Sequence, residues 1–71
     1  MDRTAVVSSN VASAGYDPEQ RILEVEFRGG SVYQYAGVPV EVYQEMCDPA
    51  VSVGRFLATR IKDVYTAERV E

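Results

Sequence analysis

The side chains best equipped for chemistry are a Tyr-x-Tyr pair, Tyr33 and Tyr35, and three basic residues, Arg55, Arg60 and Lys62. Tyrosines two apart on a strand share one face, where their rings can stack on single-stranded bases. The simpler role for such a pair is to fill the apolar face of a small sheet, hydroxyls at the rim. Ser52, Gly54 and Arg55 suggest an anion site. A helix starting there would expose backbone N–H groups to a phosphate, and Arg55 would add a charged fork. Gly54 costs about 1 kcal/mol in a helix relative to alanine, so something approaches it closely. The first helix or a tight turn after Pro49 would suffice. Arg60 and Lys62 could extend a basic strip from Arg55, or simply be a solvated face.

Other chemistry finds little support. The chain has no histidine and one cysteine, Cys47, so it has neither an internal disulfide nor a familiar zinc set. Cys47 sits among acids, Glu45 and Asp48, where a reactive thiolate is not favoured. It reads as a small core residue. Glu24 and Glu26 share a strand face, roughly 7 Å apart by strand geometry. That spacing suits paired-carboxylate work, but a solvated pair on an open face is the plainer reading. The sequence contains no phosphate-cradling glycine loop. These absences point to a nonenzymatic protein with no cofactor and no metal.

The elements that must position these residues follow from patterning. Residues 1–5 read as a flexible tail and 6–71 as one domain. Residues 6–16 read as a strand, with a bulge near Ala12-Ser13 bringing Val11 and Tyr16 to one face. Asp17-Pro18-Glu19-Gln20 is a turn. Residues 21–28 alternate Leu23, Val25 and Phe27 against Glu24, Glu26 and Arg28, the period-two signature of a strand with one wet face. Gly29-Gly30 turns the chain into a third strand, residues 31–36. A three-residue loop with Gly30 at positive φ sets Val25 opposite Tyr33 and Leu23 opposite Tyr35. Five large apolar groups then share one face, and a one-residue slip would scatter them.

Val38-Pro39 opens a helix with Val40, Tyr43, Met46 and Cys47 inward, and Asp48-Pro49 ends it. Ser52 caps a second helix with Val53, Phe56, Leu57 and Ile61 inward. Val64 joins that stripe if the helix continues. Arg60 falls inside the stripe by angle and must snorkel or mark the helix end. Tyr65 to Glu71 can form a short extended segment. The expected fold class is α+β: a three-stranded antiparallel sheet followed by two short helices on one face. Val11, Leu23, Val25, Phe27, Tyr33, Tyr35, Tyr43, Met46, Phe56, Leu57 and Ile61 would form its core.

Composition sets the outer bounds. A chain of 71 residues permits one domain, which buries only about 60% of its unfolded surface. With 46% hydrophobic and 25% charged residues it is too apolar for a disordered chain. No apolar stretch approaches the roughly 20 residues that span a bilayer. A secreted domain this small would usually carry disulfides, which favours a reducing cytoplasm. The net charge of −4 opposes nonspecific phosphate binding. Charge is uneven, however. Residues 51–62 hold Arg55, Arg60 and Lys62 without an acid, and residues 37–50 hold Glu41, Glu45 and Asp48 without a base.

The ordered segments SSNVASAGYD, LEVEF, GGSVYQY, VPVEVY, SVGRF and RIKDVY together resemble the KTSC domain. That module occurs at the C-terminus of some lysyl-tRNA synthetases and alone in short bacterial and phage proteins. The resemblance runs from residue 8 to residue 71. Tyr33 and Tyr35 match the family's Tyr-x-Tyr centre. Ser52 and Gly54 match its Ser-x-Gly segment, with Arg55 where lysine is common. The position before the Gly-Tyr-Asp turn, usually aliphatic, is Ala14. The resemblance implies a fold and, through the synthetase association, weak contact with RNA or another phosphate-bearing partner. The alternative is a protein-interaction module, docking through its acidic first helix or a free sheet edge. A monomer is expected.

Overall fold

A computed structural model describes residues 2–71. Among the described residues, five strands form one antiparallel sheet in sequence order: β1 (Thr4–Ala5), β2 (Val11–Asp17), β3 (Ile22–Phe27), β4 (Val32–Ala36) and β5 (Thr66–Arg69). Between β4 and β5 lie two short helices, α1 (Val40–Met46) and α2 (Val53–Phe56), and α2 widens into a π-helical turn over Leu57–Ile61. The α+β class is as expected, but the three-stranded sheet is corrected to five strands. Both additions are edge strands. Thr4 and Ala5 pair with Ala14 and Ser13. Thr66 to Arg69 pair with Ala36 to Tyr33. Two-residue β1 is too short to show a period-two pattern, and β5 falls in the short extended segment open to residues 65–71, whose pairing with β4 no local pattern reveals. Met1, the start of the expected tail, lies outside the described residues.

The central hairpin has the expected register. Leu23 faces Tyr35 and Val25 faces Tyr33. The Phe27 amide donates to Ser31 O and the Gly30 amide to Phe27 O, closing a three-residue loop. Gly30 takes φ 96°, a left-handed value that glycine adopts without strain. The register of β2 slips between Val11 and Ser13, so Val11 faces Phe27 while Tyr16 faces Leu23. The bulge thus brings Val11 and Tyr16 to one face.

That inner face carries the core. Val11, Leu23, Val25, Met46, Phe56, Leu57 and Ile61 are buried together as expected. Ala14 and Val38 join them, residues the sequence reading left out. Phe27, Tyr33 and Tyr43 pack at the margin, only half-buried. The Tyr43 ring stacks on Tyr16 with centroids 4.9 Å apart.

The inward stripe of α1 is corrected as well. Val38 is buried and Val42 half-buried, whereas Val40 is exposed and so is Cys47. The helix is two turns long, and Cys47 is its C-cap, beyond the last helical residue. Cys47 keeps a helical backbone, its amide donating to Tyr43 O, but with Val42, Tyr43 and Met46 inward, positions 40 and 47 fall at the margins of the stripe. Ser52 does cap α2, its Oγ accepting from the Arg55 amide at 3.4 Å. The π-helical turn ends at Ile61, with the Lys62 amide donating to Leu57 O. Val64, past that end, is exposed.

Candidate functional site

The two acids of β3 prove to be structural. Glu24 is buried, and its carboxylate accepts from Arg3 at 2.9 Å and from the Gln34 side chain at 2.8 Å. Glu26 accepts from the Ser13 hydroxyl at 2.8 Å. These acids are not the freely solvated pair expected, because Arg3, Gln34 and Ser13 reach them on the outer sheet face. Each carboxylate thus has a structural partner, Arg3 and Gln34 for Glu24 and Ser13 for Glu26, which argues against paired-carboxylate chemistry.

The basic residues do not form one strip. Arg60 makes a two-pronged ion pair with Glu45, at 2.9 and 3.3 Å. Its guanidinium lies 5.1 Å from the centre of the Phe56 ring. The residue that falls inside the apolar stripe therefore snorkels, its guanidinium over the Phe56 ring and paired with Glu45 of the first helix. Arg55 is exposed on α2. Ser52 spends its hydroxyl on the Arg55 amide. The close neighbour of Gly54 is neither α1 nor a tight turn. A Cβ there would lie 3.3 Å from Ser8 Oγ, in the segment leading into β2.

Lys62 is placed differently. The helices leave part of the inner sheet face uncovered, and the aromatic side chains there form an open groove of two adjoining clefts. The larger, about 510 Å³, is lined by Phe27, Tyr33, Tyr35, Lys62, Asp63 and Tyr65. The smaller, about 210 Å³, includes Asn10, Gly54, Leu57 and Ala58. Phe27, Tyr35 and Lys62 line both. The structure thus unites Tyr33, Tyr35 and Lys62, leaves Gly54 at the far end, and separates Arg55 and Arg60 from them.

The groove's geometry is locally determined. Phe27 and Tyr33 meet edge to face with centroids 5.7 Å apart, a favoured aromatic arrangement that fixes both rings. Tyr35 is the most buried of the three tyrosines, and burial raises its phenol above the ordinary value of 10.0, with the neighbouring Tyr33 adding to the shift. Its hydroxyl therefore stays neutral near pH 7. Lys62 is extended at the end of the π-helical turn, and Asp63 follows with φ 66°. That left-handed residue turns the chain so that Tyr65 reaches the groove and β5 can begin. Phe27 was assigned only to the core by sequence. Asp63 and Tyr65 were not assigned to a site, since their placement depends on β5.

A second cleft, about 450 Å³, lies between the N-terminal segment and α1, with Val6, Met46, Cys47 and Val51 in its walls. Tyr43 beside it has its phenol raised, first by burial and then by its hydrogen bond with Cys47. No group of acids and thiols able to hold a metal occurs among the described residues. No helix there is long and apolar enough to cross a membrane.

The sequence profile of the KTSC domain matches residues 7–65. The chain belongs to the KTSC domain family. Its fold is similar to the crystal structure of a KTSC domain protein from Yersinia pestis, with a TM-score of 0.91 and 42% identity, covering 99% of this chain and 97% of that one. It is 54% identical over 55 residues to an uncharacterised protein of Stutzerimonas stutzeri strain A1501, spanning 78% of this chain and 76% of the relative. A Tsukamurella paurometabola protein is 42% identical over 62 residues, spanning 87% of this chain and 91% of that protein. In KTSC terms, the family's Tyr-x-Tyr centre forms one wall of the groove, and the Ser-x-Gly segment contributes Gly54 to its end.

Proposed function

We propose that this KTSC domain is a nonenzymatic binding module that takes single-stranded RNA in its aromatic groove and acts in the cytoplasm. One observation carries the proposal: Lys62 lines both clefts beside Phe27 and Tyr35. A cation next to partly exposed rings is the arrangement that holds a phosphate while the adjoining base stacks, and stacking contributes about 1–3 kcal/mol per base. The half-buried Tyr33 and Tyr65 leave ring surface available. The family's place at the end of some lysyl-tRNA synthetases agrees with such a ligand. With a net charge of −4 the molecule gains little from general attraction to phosphate, so the affinity is weak and rests on stacking.

Fluorescence anisotropy with a short labelled RNA at low salt tests this. Lys62→Gln and Tyr33→Ala should each weaken binding, while Arg60→Gln should leave it nearly unchanged. Binding lost in Arg55→Gln but retained in Lys62→Gln would move the site to the α2 surface. No binding at low salt would leave a second reading, a protein-interaction module. The free edges of β1 and β5 favour that reading, because an extended segment can pair with either.

A further inference from the structure

The larger cleft holds one cation and one anion that do not pair with each other. Lys62 and Asp63 are consecutive, both exposed, and both line it. Among the described residues neither side chain has a hydrogen-bond or ion-pair partner, whereas Arg3, Glu24, Glu45 and Arg60 all do. The backbone accounts for their separation. Lys62 is extended at ψ 134° and Asp63 is left-handed at φ 66°, so the chain turns between them. A cleft walled by aromatic rings thus presents both a donor and a two-oxygen acceptor, neither of them neutralised by the other.

We propose that this pair makes the groove selective for guanine, an inference that rests on the nucleic-acid reading above. Bases splayed from a single strand are read on their Watson–Crick edges. A carboxylate offers two acceptors on a rigid fork. Guanine alone among the four bases has two adjacent donors on that edge, N1–H and the N2 amino group, and it places the O6 acceptor beside them. Asp63 takes the two donors, and the Lys62 ammonium takes O6 or the neighbouring phosphate. Adenine and cytosine each set a ring-nitrogen acceptor beside their single amino group, which repels a carboxylate. Uracil flanks its one N–H with two carbonyls, which repel it equally. The aromatic wall of Tyr33, Phe27 and Tyr65 stacks any base, so it supplies affinity without choice.

The experiment compares two labelled pentamers, UGUGU and UAUAU, by anisotropy at low salt, with wild-type protein and with Asp63→Asn. Asparagine tolerates the left-handed backbone that position 63 requires, so the fold is kept. Its amide can supply only one acceptor to the guanine edge and brings a donor against the other. A good bidentate pair is worth about 1–3 kcal/mol of discrimination, so wild-type protein should bind UGUGU about fivefold or more tighter. Asp63→Asn should bind UAUAU as before and lose the preference. Equal wild-type affinities would overturn guanine selectivity while leaving the nucleic-acid reading in place, as would a preference that survives Asp63→Asn. If neither pentamer binds, the nucleic-acid reading itself fails and this inference falls with it.

Discussion

Tyr35 and Tyr43 both have phenols raised above 10.0, burial being the larger cause in each. An unfolded chain releases these protons at ordinary values, so alkaline conditions favour unfolding. Their contribution to stability is complete below about pH 10 and is lost as pH rises through the folded values. Thermal melts between pH 8 and pH 11 should show a plateau followed by a fall. Tyr35→Phe should make that fall shallower, and an unchanged curve would remove Tyr35 as a cause. Cys47 offers a second test. The exposed thiol should react with a disulfide reagent in the folded protein at close to the rate seen in denaturant, whereas a core cysteine would be strongly protected. Its acidic neighbours and helical spacing were legible in the sequence; its exposure was not. Exposure depends on which positions of α1 centre its buried stripe, and a rotation of about 100° per residue leaves Cys47 at the margin once Val42, Tyr43 and Met46 face inward.

At the level of elements, the centre of the sheet was legible and its edges were not. Alternation of Leu23, Val25 and Phe27 with acids fixes β3, and burial of one shared face fixes its register against β4. Nothing comparable marks β1. Its position is set by Gly15, where an added Cβ would strike the backbone carbonyl of Asp2. Gly15→Ala should therefore push the N-terminal segment off the sheet and break the Arg3–Glu24 ion pair with it. Faster amide exchange at Val6, which donates to Ala12 O in the native fold, would report the detachment. Unchanged exchange would mean that Asp2 shifts without loss of β1. The helical layer depends on Phe56, only 6% exposed and lying under the Arg60 guanidinium. Phe56→Ala should cost about 3–5 kcal/mol by cavity formation. Domains hold only about 0.05–0.15 kcal/mol per residue, so urea unfolding should show most of the stability gone. Phe27→Ala should cost less, because half-burial leaves a smaller cavity. Equal losses would mean that Phe27 is as enclosed as Phe56.

Across the whole molecule, local charge is a poor guide to which cations are available. The segment 51–62 sums to +3 in sequence, and folding divides it. Arg60 crosses to Glu45 in the acidic helix, Arg55 remains on the α2 surface, and Lys62 alone reaches the aromatic groove. That separation requires the return of the chain through the π-helical turn into β5, which residue spacing alone does not reveal. It also determines how RNA binding should respond to salt. Each phosphate neutralised on a single strand contributes about −0.7 to the slope of log affinity against log salt. One contact through Lys62 predicts about a threefold loss of affinity between 50 and 200 mM salt. The net charge of −4 works in the opposite direction, because salt also screens the repulsion between the acidic surface and the strand. The measured loss should therefore be threefold or smaller, and Lys62→Gln should remove most of the remaining salt dependence. Binding driven by Arg55, Arg60 and Lys62 together would lose about 20-fold over the same range. A steep salt dependence would thus show that the ion pair with Glu45 opens on binding and that the basic strip acts as one surface.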